Sequence, residues 1–201
     1  SALLLAISVR LSAAVIGQKA LVCTAESWVP PYGISLAADA FSVFMMVTAN
    51  LVAFLIALYS TAYVRSYSDK WKYFALLMLM IAGVNGVLVT GDIFNLFVFL
   101  EIASIATYGM VAYRLKSESF EAAFKYAVMG TVASSCILLG IAFLYAYTST
   151  LNMADMAAVL AAKGGCAITL FVSVLFLMGF GMKAAAVPFH AWLPDAYSKS
   201  P

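Results

Sequence analysis

Charge is the scarcest property of this sequence: only 10% of its 201 residues are Asp, Glu, Lys or Arg, against ~25% in a soluble globular domain. Histidine is nearly absent, with His190 alone, and the three cysteines, Cys23, Cys136 and Cys166, have no CxxC spacing. One imidazole and three scattered thiols build neither a zinc centre nor an iron–sulfur ligand set, so no cofactor is expected in this chain. Cys136 and Cys166 read as small apolar packing residues. No basic cluster with interleaved aromatics offers a face to nucleic acid, and a net charge of +2 is too small to argue for one. No nucleophile–base pair, Walker loop or dinucleotide fingerprint is present. Gly83, Gly86 and Gly91 lack the strand-to-helix context of a phosphate loop and suit close helix packing instead. Ala2–Ile16 has no basic leader before it and reads as a span entered partway.

What the sequence does have is apolar length. Hydrophobic residues make up 65% of it and the mean hydropathy is +1.02, which defines an integral membrane protein. Six apolar segments stand out: Ala2–Ile16, Ala37–Val64, Tyr73–Thr90, Ile93–Tyr113, Phe124–Tyr147 and Cys166–Val187. A helix needs ~20 residues to cross a ~30 Å hydrocarbon core, a length the last five reach or approach. The first is shorter and carries Arg10, which fits a truncated span, an interfacial helix or a spanning helix with a snorkelling arginine. Alternation of period two is missing, and the segments are too long for barrel strands. The expected fold is all-α: a polytopic transmembrane helix bundle of about six helices, forming one membrane domain over residues 1–201.

The connections set the orientation. One group holds Arg65, Lys70 and Lys72, then Arg114, Lys116 and Lys125, then Lys199; the opposite group holds Lys19 and Lys163. The positive-inside rule puts the first group in the cytoplasm and the chain in the cytoplasmic (inner) membrane. Thr90-Gly91-Asp92 is so short that the flanking spans must be antiparallel neighbours. Gly17–Leu36 contains Trp28-Val29-Pro30-Pro31-Tyr32-Gly33, a helix-stopping stretch with interfacial aromatics. Leu151–Lys163 has the spacing of a short amphipathic helix.

Against this background Glu101 is conspicuous, the one charge within Ile93–Tyr113. A carboxylate at membrane depth must be neutralised, paired or given a water-filled cavity. It lies ~13.5 Å along the helix from Asp92, near the midplane. Desolvation pushes such a group toward its neutral form, and a neighbouring cation pushes it back. Ser104 and Tyr108 share its helical face, with Asn95 and Thr107 further round, and these could hold water or satisfy the carboxylate. The plainer reading is a fixed, hydrogen-bonded structural carboxylate. Lys183 is a second ionisable group in an apolar segment. Counted from Gly165 it lies ~27 Å along an unbroken helix, where a snorkelling lysine is ordinary. Gly179, Gly181 and Pro188, however, suggest a broken helix near Lys183, and a lysine at such a break is the natural counter-ion for Glu101. His190 could pass protons, or simply pack at the interface beside Trp192. Asp39 and Asp92 read as helix caps, and Glu118 and Glu121 as solvated residues of a charged loop.

Two stretches, Gly91-Asp92-Ile93-Phe94-Asn95-Leu96-Phe97-Val98-Phe99-Leu100-Glu101-Ile102 and Gly181-Met182-Lys183-Ala184-Ala185-Ala186-Val187-Pro188-Phe189-His190-Ala191-Trp192-Leu193-Pro194-Asp195-Ala196, resemble two signatures of one family. It is the antiporter-like membrane subunit shared by complex I (NADH–quinone oxidoreductase), Mrp-type sodium/proton antiporters and membrane-bound energy-converting hydrogenases. The stretch Trp28–Asp39 is similar to the family as well. The resemblance implies that Glu101 and Lys183 are the membrane glutamate and lysine of a half-channel, with His190 on the route onward. It implies proton or sodium translocation within a multisubunit membrane complex, with redox centres on other, peripheral subunits. It also implies a chain that stops before the helix completing the first of two inverted five-helix repeats. The expected function is a translocating subunit of a redox-driven complex. The rivals are an Mrp-type antiporter subunit without redox coupling, and a structural subunit that keeps the fold and carries no ions.

Overall fold

The computed structural model describes residues 1–16, 20–24, 33–66, 69–164 and 166–200. Among the described residues eight α-helices follow one another: α1 (Ala2–Val15), α2 (Ala40–Tyr63), α3 (Lys70–Val89), α4 (Ile93–Ala112), α5 (Ser117–Thr148), α6 (Met153–Lys163), α7 (Ala167–Lys183) and α8 (Trp192–Lys199). Four of them, α2 to α5, are long and apolar enough to cross a membrane, while α1 and α7 are apolar but shorter. The expected α-helical bundle is what these residues form, and α6 is the short helix expected over Leu151–Lys163.

Helix boundaries follow local chemistry. The Asp39 carboxylate accepts from the Ser42 backbone N–H at 2.7 Å and starts α2; Asp92 accepts from Asn95 N–H at 2.8 Å and starts α4. Both aspartates therefore cap helices, as expected. Backbone N–H groups in the first turn of a helix lack intrahelical acceptors, and a short carboxylate just upstream supplies one.

The long connection before α2 holds an unexpected element. Strand β1 (Ala20–Thr24) pairs antiparallel with β2 (Ser35–Asp39), with Ala20 opposite Asp39 and Thr24 opposite Ser35. Trp28 to Tyr32, the aromatic-proline stretch, lie outside the described residues. The β2 strand also knits one end of the bundle together. Gly91 N–H donates to Ser35 O at 2.8 Å, Asn152 Nδ2 donates to Ser35 Oγ at 2.8 Å, and Ile93 N–H donates to Leu151 O at 3.0 Å. Backbone that leaves helical geometry near a membrane needs such partners, because unpaired N–H and C=O groups are costly there.

Small residues set the helix spacing. A Cβ on Gly83 would lie 2.7 Å from Ala103 N and 2.8 Å from Phe99 O, and one on Gly86 would fall inside the Phe99 ring. Thus α3 and α4 are tightly packed antiparallel neighbours, as the Thr90-Gly91-Asp92 turn requires. Gly179 of α7 sits just as closely against Ala133 and Ile137 of α5.

Two expected boundaries need correction. Helix α5 begins at Ser117, not Phe124, so Glu118 and Glu121 are helical, not in a loop. The extension persists because α8 lies beside it: Ala122 and Ala123 are buried with Trp192 and Ala196. Helix α7 ends at Lys183, short of Val187, and Gly179 and Gly181 do not interrupt it. The break falls immediately after the lysine, where Ala185 takes a left-handed φ of 51°. A 3-10 turn over Phe189–Ala191 leads from there into α8.

Candidate functional site

Glu101 projects from α4 toward α5 and α7, and Lys183, the last residue of α7, reaches it. Lys183 Nζ lies 2.8 Å from Glu101 Oε1 and donates a second hydrogen bond to Ser104 Oγ, also at 2.8 Å. A helical lysine leans back along its own helix, which brings the ammonium onto the Glu101–Ser104 face despite the length of α7. Ser104 donates its own proton to Leu100 O at 2.7 Å. The pair is largely enclosed, with side-chain exposures of 14% for Lys183 and 27% for Glu101.

A third group closes the arrangement. Ser134, buried on α5, donates to the same carboxylate oxygen that Lys183 holds, and its hydroxyl is also 2.8 Å from Gly130 O. A hydroxyl has one proton, so the two acceptors compete for it. Glu101 Oε1 is thus shared by an ammonium on α7 and a hydroxyl on α5. Sequence reasoning missed Ser134. A serine in an apolar helix commonly satisfies itself by bonding the carbonyl four residues back, as Ser135 does to Thr131 O at 2.9 Å. The signal available was phase: Ser134 shares the buried face of Gly130, Ile137 and Ile141, whereas Ser135 is exposed.

Below the pair is a cavity of about 180 Å³ lined by Lys183, Ser104, Thr107, Tyr108 and Tyr126, with Trp192 at its edge. An aromatic series walls it: Tyr108 meets Tyr126 edge-on at 4.6 Å, and Tyr126 stacks on Trp192 at 4.2 Å. Trp192 Nε1 donates to Met182 O at 3.2 Å, pinning α8 to the end of α7. Gly130 makes room for Tyr108, whose hydroxyl occupies the space of a Cβ there. Together the groups can hold a proton or small cation at Glu101, beside a cavity whose lining includes Ser104, Thr107 and Tyr108.

The other expected residues are distributed differently. Thr107 lines the cavity and bonds Ala103 O at 2.6 Å. Asn95 is remote from the pair in bonding, since its Nδ2 donates to Thr90 Oγ1 at 3.0 Å in the α4 cap. His190 is exposed on the 3-10 turn after the break, and the hydrogen bonds of the pair run to Ser104 and Ser134. Among the described residues no group of three or more His, Cys, Asp or Glu is arranged to hold a metal.

Comparison with known proteins gives this geometry its context. The family model "NADH:quinone oxidoreductase/Mrp antiporter, TM" matches residues 90–201, and "NADH-Ubiquinone oxidoreductase (complex I), chain 5 N-terminus" matches residues 31–74. The chain belongs to this family of antiporter-like membrane subunits. It is 38% identical over 178 residues to an NADH-quinone oxidoreductase subunit of Desulforudis audaxviator, covering 88% of this chain and 35% of that one. It is 36% identical over 174 residues to an Na(+)/H(+) antiporter subunit of Bacillus subtilis, covering 87% of this chain and 35% of that one. A subunit of the membrane-bound sulfane sulfur reductase, an archaeal respiratory membrane complex, superposes with a TM-score of 0.92 at 36% identity, over 99% of this chain and 41% of that one. The chain therefore spans between 35% and 41% of the length of these relatives. With its family and its apolar helices, it is a multi-pass integral membrane protein.

Proposed function

We propose that this chain is part of a proton- or sodium-translocating membrane subunit, coupled to electron transfer carried by other, peripheral subunits of a multisubunit complex in the cytoplasmic membrane. The observation that carries the reading is the Lys183–Glu101 contact of 2.8 Å at a helix break, with Ser134 as a second donor on the same oxygen. Such a pair is switchable. With an effective dielectric of ~20, opposite charges attract by about 4 kcal/mol at 4 Å and about half that at twice the distance. A few ångströms of movement at the end of α7 then changes the attraction between the two groups by about 2 kcal/mol. Thr107, Tyr108 and the cavity beneath Lys183 are the natural place for water serving proton exchange at Glu101, and His190 lies further along the chain past the break. The similarity to a Bacillus subtilis antiporter subunit supports a second reading, an Mrp-type exchanger without redox coupling. Redox subunits copurifying with the complex favour the first reading, and their absence favours the second.

The test is Glu101→Gln in the assembled complex. It keeps size and hydrogen bonding but removes the titratable charge, and ion translocation should fall roughly a hundred-fold, the scale of losing one positioned proton-transfer group. Glu101→Asp should retain more. The double variant Glu101→Gln/Lys183→Met avoids leaving a lone enclosed ammonium, so it separates loss of transport from failure to assemble. Wild-type translocation by an assembled Glu101→Gln complex would make the carboxylate structural.

A further inference from the structure

At the end of the bundle that carries the basic connections, the start of α3 and the end of α4 enclose a cavity of about 300 Å³, at the lower edge of ligand-sized clefts (~300–1,000 Å³). Its lining is divided. Lys72, Arg114 and Asp69 form one part, so the charged side carries two cations against one carboxylate; Leu76, Gly109 and Ala112 form the other. Leu76 lies one turn further into α3 than Lys72, and Gly109 lies inside α4, whereas Asp69 precedes α3, Lys72 is in its first turn and Arg114 follows the end of α4. The apolar part at Leu76 and Gly109 therefore lies deeper in the bundle than the charged part. Lys72 Nζ is 2.9 Å from Asp69 and Arg114 Nη2 donates to the Tyr63 hydroxyl at 3.1 Å, which orients both cations beside the opening. Two side chains beside the cavity have no reason to face water: Trp71 is 69% exposed and Leu115 is 71% exposed. Leu115 also holds a left-handed backbone, φ 55°, a conformation unfavourable for a branched residue. Arg65, Lys70 and Lys116 add positive charge on the same end.

We propose that this cavity binds one anionic glycerophospholipid, its phosphodiester between Lys72 and Arg114 and the top of an acyl chain along Leu76 and Gly109. Charge and polarity select this occupant. A net positive opening attracts an anionic headgroup, and the apolar lower half suits a chain that a free anion lacks. Tryptophan beside the opening belongs at headgroup level. The site is independent of the Glu101–Lys183 pair.

Photoactivatable phosphatidylglycerol and phosphatidylcholine of identical acyl chains, in vesicles holding the full-length subunit within its complex, test the assignment. Phosphatidylglycerol should label segments 69–76 and 109–115 more strongly than phosphatidylcholine. Lys72→Gln, a change at an exposed side chain that leaves the fold intact, should lower that labelling roughly five-fold, and Lys72→Gln/Arg114→Gln roughly twenty-five-fold, from the usual contribution of each basic residue near an anionic surface. Lys163→Gln, at the other end of the bundle, should leave it unchanged. Equal labelling by the two lipids overturns the proposal, as does labelling indifferent to Lys72→Gln. Abolition of phosphatidylglycerol labelling by an equal concentration of inorganic phosphate assigns the cavity to a free anion and overturns the lipid.

Discussion

At the scale of single residues, the proposed chemistry centres on one oxygen. Glu101 Oε1 takes hydrogen bonds from Lys183 and Ser134, which sit on different helices. In the proposed mechanism, in which the end of α7 moves, Ser134 is the donor left to orient the carboxylate. Hydrogen bonds to charged groups are worth about 1.5–3 kcal/mol, so Ser134→Ala in an assembled complex should lower ion translocation about ten-fold, less than Glu101→Gln does. Ser134→Thr keeps the hydroxyl and should restore most of the rate. Wild-type translocation by an assembled Ser134→Ala complex would show that the carboxylate does not depend on this donor.

Elements set that oxygen's surroundings through contacts between backbones, and here glycine positions make unequal demands. A Cβ on Gly83 meets Ala103 N at 2.7 Å and Phe99 O at 2.8 Å, atoms that move only if α3 and α4 separate. A Cβ on Gly109 meets Leu76 Cδ2 at 3.0 Å, the end of a flexible side chain. Gly83→Ala should therefore destabilise by about 1–3 kcal/mol, as overpacking does, and Gly109→Ala by clearly less; thermal unfolding in detergent compares them. Equal loss would show that α3 and α4 reseat more easily than their close approach suggests. Much of this level was readable in advance. Asp39 and Asp92 announced helix starts because capping is local chemistry, and the Thr90–Asp92 turn allowed only an antiparallel pair. The partnership of Glu101 with Lys183 was also legible, since two charges in hydrocarbon have few alternatives. The β1–β2 pairing was not: Ala20–Thr24 and Ser35–Asp39 are separated by a proline-rich stretch, and their pairing depends on docking Ser35 against Gly91 and Asn152. Nor was α8 readable, because Trp192–Lys199 resembles a tail until Ala196 and Trp192 are seen buried against α5.

For the whole molecule, the two basic connections lie at one end. The tight antiparallel packing of α3 and α4 puts the start of α3 beside the end of α4, and α8 joins the first turns of α5 there through Lys125–Asp195 at 3.0 Å and Lys199–Glu118 at 2.6 Å. The β1–β2 hairpin, the Thr90–Asp92 turn and the N-terminus of α6 gather at the other end. That segregation follows from how the helices are packed, and combined with the bias of lysine and arginine toward cytoplasmic loops it predicts that the α4–α5 connection is cytoplasmic and α6 lies outside. In a background with Cys23, Cys136 and Cys166 replaced, Ser117→Cys should be shielded from a membrane-impermeant maleimide in sealed cells and Ala161→Cys labelled by it. Permeabilisation should then expose Ser117→Cys. Both positions are exposed in the structure, so burial within the protein does not explain protection. Labelling of Ser117→Cys in intact cells, with Ala161→Cys protected, would invert the topology. The lysine and arginine bias would then be subordinate to whatever the neighbouring subunits impose on this bundle.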